Sequence, residues 1–167
     1  TCAWCWANVL HGGPPWACPC GWRRRLPDGS MERVAGLVYN PAGNEMFWAE
    51  KGIGAFLNER RLRVSARRNM DESLFATGIP FAKVSAKNRL SFARTLGALM
   101  PQVAGVRRFG AAALDLAWVA AGRYEGYWEL GIRPWDCAAG GLLVRETGGF
   151  ATDPHSVDLN DFPGSVQ

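Results

Sequence analysis

The sequence predicts a layered α/β protein, α+β in the order of its elements, and three observations carry that expectation. Residues 33–65 hold short β-rich runs broken by Asn-Pro and Gly signals, the pattern of an antiparallel meander. Residues 73–147 then alternate strand-like with helical segments. The chain has 167 residues, 48% hydrophobic and 20% charged, enough for one domain with a sizeable core.

Each element has its own signal. "RVAGLVYNP" (33–41) reads as a strand that ends in a turn. "EMFWAEKGIGAFLNERRLRVS" (45–65) gives two strand-like runs around Gly52 and Gly54, with a third at Arg61–Val64. "SLFATGIPF" (73–81) is a strand stopped by Gly78 and Pro80. Over residues 84–99, Leu90, Ala93, Leu96 and Leu99 recur every three positions and predict a helix. "VAGVRRFG" (103–110) is a short strand. "AAALDLAWVAAG" (111–122) is built of strong helix formers and stops at Gly122. "YEGYWEL" (124–130) alternates like a strand. A last helix is expected over 136–147, with Asp136 as its N-cap and Gly148-Gly149 ending it. "FATD" (150–153) begins a final strand, and the remainder is loop-like.

Composition excludes some function classes. The net charge is +4, and its arginines cluster at Arg23-Arg24-Arg25, Arg60-Arg61-Arg63 and Arg67-Arg68. No recognition motif accompanies them, so they read as solvated faces and no nucleic-acid partner is expected. No apolar run approaches the ~18 residues of a membrane span, and no signal-peptide pattern leads the chain. A cytoplasmic protein with no membrane partner is expected. Residues 1–22 hold four of the five cysteines, four of the eight tryptophans and no Asp, Glu, Lys or Arg. The expected division is therefore a divergent N-terminal segment over 1–30, a domain over 31–153 and a truncated tail over 154–167.

Chemistry concentrates near the C-terminal helix. A carboxylate at Asp136, beside a strand ending in Glu129, offers hard oxygen to Mg²⁺, and a helix N-terminus attracts phosphate. The alternatives are plain: Asp136 as a cap, Glu129 as a solvated strand-end acid, and Gly110 as a turn glycine. Cys2, Cys5, Cys18 and Cys20 offer a four-thiolate Zn²⁺ site as a secondary possibility. Cys137 has no histidine near it in sequence, since the chain's two are His11 and His155, so a catalytic thiol is not expected.

"VRRFGAAALDLAWVAAGRYEGYWELGIRPWDCAAGGLLVRETGG" (106–149) resembles the C-terminal signature of the inositol monophosphatase family, WDxAAGxxLxxEAGG, at nearly every position of its second half. "VAGLVYNPAGNEMFWAEKGIGAFLNERRLRVS" (34–65) is similar to the family's central hairpin region. The resemblance implies an αβαβα sandwich, here partial, and a Mg²⁺-dependent phosphomonoesterase that hydrolyses myo-inositol phosphate or a related small phosphate ester with metal-activated water. It implies a small phosphorylated polyol or sugar as substrate and a homodimer. Residue by residue, Asp136 matches a metal ligand, Glu129 an acid that binds substrate hydroxyls, and Gly110, Ala111 and Ala112 the turn that lines the substrate. The family's DPxDGTxNF motif precedes "LHG"; here "LHGGPPWA" stands at 10–17, and counting back from Asn8 places its two aspartates on Thr1 and Trp4 and its threonine on Trp6. Asp136 is then the one metal-ligand carboxylate of the family on a matched position. The alternative expectation is a catalytically inactive remnant or binding module, with or without the cysteine zinc site.

Overall fold

The meander expected from residues 33–65 is part of one five-stranded antiparallel sheet whose strands lie side by side in chain order. The computed structural model describes residues 18–80 and 85–152. Its elements are β1 (Cys18–Arg25), β2 (Met31–Asn40), β3 (Glu45–Glu50), β4 (Gly54–Leu57), β5 (Arg60–Arg61), β6 (Leu74–Thr77), α1 (Ala86–Leu99), β7 (Gly105–Arg107), α2 (Ala112–Ala120), β8 (Gly126–Trp128) and α3 (Pro134–Glu146). Alternation sets the faces of the meander: Val38, Phe47, Ala49 and Ala55 point inward and are buried.

A second sheet is parallel, in order β7-β6-β8. Its strands are linked through helices, as parallel pairing requires. Helices α2 and α3 pack on each other between the two sheets, α3 against β1, β2, β3 and β4, and α2 against β2, β6 and β8. One core cluster runs through this layer, from Phe47 and Val38 through Leu143 and Leu114 to Ala76. Helix α1 buries none of its residues. It meets the other face of the parallel sheet through Phe92, whose ring lies 6.4 Å from that of Trp128. Among the described residues no helix is long and apolar enough to cross a membrane.

The small residues of α3 have a packing reason. A Cβ built on Gly140 would fall 2.5 Å from the Leu116 Cβ, and one on Gly36 would fall 3.0 Å from the Ala139 Cα. Close crossings of α3 with α2 and with β2 therefore need glycine on one side.

Three expectations need correction. The helix placed at 136–147 starts two residues earlier, because Pro134 takes the first helical position, where its missing N–H costs nothing. Asp136 is thus the third residue of α3, and the N-cap is Arg133. Strand β1 has no counterpart in the expected elements; it is the outermost strand of the sheet among the described residues, paired to β2 from Cys18↔Tyr39 to Arg25↔Met31, and an outer position tolerates Pro19. In "FATD" the described residues hold a single bridge at Thr152.

Candidate functional site

The carboxyl ends of three parallel strands and the starts of two helices meet on one side of the molecule. β6 ends at Thr77 and Gly78, β7 leads through Arg108 to Gly110, and β8 leads into Glu129. Helix α2 begins directly after the Gly110–Ala111 turn and α3 after Arg133. In open α/β sheets such an edge gathers ligands, because backbone N–H groups and loop side chains converge there.

Gly110 has φ +82°, the left-handed region that favours glycine. It turns the chain so that Ala111, with φ −134° and ψ 82°, caps α2. Ala111 brings no capping side chain, and Ala112 is the first helical residue.

Glu129 is half-buried and accepts a short hydrogen bond from the Tyr127 hydroxyl. Burial pushes its carboxyl up, the Tyr127 bond opposes, the Asp136 charge adds to the rise and Arg108 resists it; the balance is raised. Its seat depends on Gly78, where a Cβ would fall 1.9 Å from the Glu129 Cδ. Only a residue without a side chain leaves that space. Thr77 holds the same strand pair together, its hydroxyl donating to the Trp128 carbonyl at 2.8 Å.

Asp136 is half-buried. Its Oδ2 accepts the Arg133 backbone N–H at 3.1 Å. Burial raises its proton affinity, against that bond and the Arg133 charge. The structure therefore sets Asp136, Glu129 and the Gly110–Ala112 turn around one edge, with Glu129 and Asp136 near enough to feel each other's charge.

Two further residues shape this region, and the sequence signals them unequally. Gly78 gives a weak signal, since "TGIP" reads as a strand stop. Asp115 gives a better one: it is the one charged residue in "AAALDLAWVAAG". It is 1% exposed. Burial first, then the Glu129 charge, push its carboxyl up to about 7, against the nearby Ala111 backbone N–H and the charge of Arg108.

Mg²⁺ takes several oxygens in near-octahedral array. Among the described residues no three His, Cys, Asp or Glu side chains converge to hold an ion, so Asp136 alone does not make a magnesium site. Of the four cysteines considered for zinc, Cys2 and Cys5 lie outside the described residues, as do Thr1, Trp4 and the 10–17 stretch. Cys18 and Cys20 lie in β1, opposite Tyr39 and Leu37.

Comparison with known proteins gives a consistent set of relatives. A sequence model described as the inositol monophosphatase family matches residues 29–163. An inositol-1-monophosphatase of Caulobacter vibrioides is 55% identical over 155 residues, which is 92% of this chain and 57% of that protein. The Nus factor SuhB of Escherichia coli is 50% identical over 117 residues, 70% of this chain and 43% of that protein. Among solved structures, the extragenic suppressor protein suhB of Bartonella henselae aligns with a TM-score of 0.79 at 44% identity, covering 94% of this chain and 57% of that one. The inositol monophosphatase of Anabaena aligns at 0.75 and 37%, covering 90% and 57%. The chain thus spans about half the length of the relatives it matches.

Proposed function

From the premise that the chain belongs to the inositol monophosphatase family, we propose that it serves the Mg²⁺-dependent hydrolysis of a small phosphorylated polyol such as myo-inositol phosphate, in the cytoplasm and as a homodimer. The observation that carries the reading is the convergence of Glu129, Asp136 and the Gly110–Ala112 turn at the carboxyl edge of the parallel sheet. An acceptor carboxylate set beside exposed backbone suits a ligand rich in hydroxyls. Glu129, seated on Gly78 and steadied by Tyr127, accepts polyol hydroxyls. Gly110, Ala111 and Ala112 let the polyol approach the backbone closely. Asp136 would supply one oxygen to the metal. Bound magnesium supplies Lewis-acid polarisation of the phosphate ester.

The test is phosphate release from myo-inositol 1-phosphate, with and without Mg²⁺, by the chain and by Asp136→Asn. Mg²⁺-dependent release that falls about 100-fold or more in the variant is the expected result. Absence of Mg²⁺-dependent release from the unaltered chain overturns the catalytic reading. A second reading, a binding module without turnover, is favoured by the sequence of residues 1–22, which holds no Asp or Glu. Calorimetric binding of the same ester without release would establish it.

A further inference from the structure

Phe109 stands directly before the Gly110 turn, and its ring belongs to an aromatic triangle. The Trp118 ring meets it edge-on, with centroids 5.1 Å apart and planes at 80°. The Tyr124 ring lies alongside it at 6.4 Å and 25°. Trp118 and Tyr124 close the triangle at 5.9 Å and 80°. These are the edge-to-face and offset arrangements that aromatic rings favour. The three rings come from three segments that build the candidate site. Phe109 precedes the turn, Trp118 belongs to α2, which the turn begins, and Tyr124 leads into β8, beyond which stands Glu129. The cluster is fixed in turn to the meander, because the Arg123 guanidinium lies over the rings of Trp118 and Phe47 and pairs with Glu45. The turn brings little of its own to hold it. Gly110 has no side chain, and Ala111 caps α2 without a side-chain bond. Arg108, the residue before Phe109, is exposed.

We propose that Phe109 is a positioning residue of the polyol site, its ring setting the Gly110–Ala112 turn relative to Glu129 by packing on Trp118 and Tyr124. The proposal rests on the reading of Gly110, Ala111, Ala112 and Glu129 as polyol-binding. A polyol held by backbone on one side and a carboxylate on the other depends on their separation, because hydrogen bonds reach only about 3.2 Å. Gly110 at φ +82° and two alanines leave that backbone free to swing unless a neighbour anchors it. Phe109 is the neighbour with a side chain large enough to do so, and it acts through the turn. Without its ring, β7 keeps its pairing with β6, and α2 keeps its packing on α3. What loosens is the first turn of α2, where the Leu114 and Asp115 N–H groups both donate to the Ala111 carbonyl at 2.9 Å.

The experiment compares the isotope-labelled full chain with Phe109→Ala, which removes the ring, and Phe109→Tyr, which keeps it. Amide exchange followed by NMR at Leu114 and Asp115 is expected to quicken about 10-fold or more in Phe109→Ala. The Leu143 amide, in the core of α3, is expected to stay within about 3-fold, and all three amides to stay so in Phe109→Tyr. Unchanged exchange at Leu114 and Asp115 in a folded Phe109→Ala overturns the proposal. So does equal quickening at Leu143, which would make the ring a general prop of the fold. Should Phe109→Ala not fold, Phe109→Leu takes its place, with apolar bulk but no ring, under the same outcomes. Calorimetry with myo-inositol 1-phosphate supplies the readout that a purely structural ring would not move. Affinity lost about 10-fold in Phe109→Ala and kept within about 3-fold in Phe109→Tyr supports both readings. Affinity kept in a Phe109→Ala whose first turn has loosened overturns the positioning role. No binding by any of these proteins overturns the polyol reading, while exchange at Leu114 and Asp115 still decides whether Phe109 holds the turn.

Discussion

Helices α2 and α3 each start just past a strand of the parallel sheet, and each carries an acid in its opening turns, Asp115 in α2 and Asp136 in α3. Asp136 accepts the backbone N–H of its cap residue Arg133, whereas the Asp115 Oδ1 is buried with no hydrogen-bond partner among the described residues. The two acids stand in different surroundings. Asp136 stands at a helix start opened by Pro134 and by Trp135, which is 52% exposed, whereas Asp115 is covered by the parallel sheet and by Glu129. Both carboxyls are raised by burial, and only Asp115 is carried to about 7. The layer above the helix therefore bears on whether a carboxylate stays ionised and whether a ligand can reach it.

The largest expected effect comes from the crossing that holds the two helix starts in register. Gly140 of α3 lies against Leu116 of α2 so closely that no Cβ fits. Gly140→Leu is expected to cost about 3 kcal/mol, lowering the thermal midpoint by roughly 10 °C in a chain of this size. Circular dichroism during heating measures it. A variant within about 1 kcal/mol of the unaltered chain would mean that the helices can separate without loss, and that the two starts are independent.

Much of this architecture is legible in the residues, for local reasons. Strands β2 to β4 announce themselves because one face is buried, so Val38, Phe47, Ala49 and Ala55 alternate with residues of the outer face. The end of α3 is legible because Gly148 takes φ +92°. Its start is misread by two residues because proline looks like a stop inside a pattern, although it suits a first turn. β1 is not legible, since "CPCGWRRR" has Pro19, Gly21 and three arginines, and what makes it a strand is pairing with β2. At the site, "PWDCAAGG" points to Asp136 from its own neighbourhood. The seat of Glu129 on Gly78 and the burial of Asp115 under Glu129 depend on chain segments distant in sequence, which no local period encodes.

Acid titration sharpens the comparison at the next level of effect. The folded chain keeps a proton on Asp115 up to about pH 7, while the unfolded chain releases it near the ordinary aspartate value of about 4. Between those values the folded state binds more protons, so stability falls as pH rises and levels off above about 7. Glu129 and Asp136, raised in the same direction, add to that slope. Asp115→Asn removes the Asp115 share. Urea denaturation at pH 4.5 and pH 8 is expected to show the unaltered chain losing on the order of 2 kcal/mol more than the variant across that interval. Equal losses would place the Asp115 carboxyl near its ordinary value and dissolve the contrast with Asp136.

The smallest effect on stability is expected at the residue with the largest effect on turnover. Asp136→Ala removes the bond to the Arg133 N–H and a negative charge near the start of α3, worth about 1 kcal/mol together. It also relieves the burial that raises the carboxyl, so the net loss is expected to be no more than about 0.5 kcal/mol, and smaller still in high salt. Urea denaturation at pH 7 in low and high salt measures both. A loss of about 2 kcal/mol or more would mark Asp136 chiefly as a structural cap, and any loss of turnover in Asp136→Asn would then need a check on folding first. A small loss leaves its carboxylate available for the metal, because a helix that is held together by its crossing with α2 and its packing on the meander needs little from its cap.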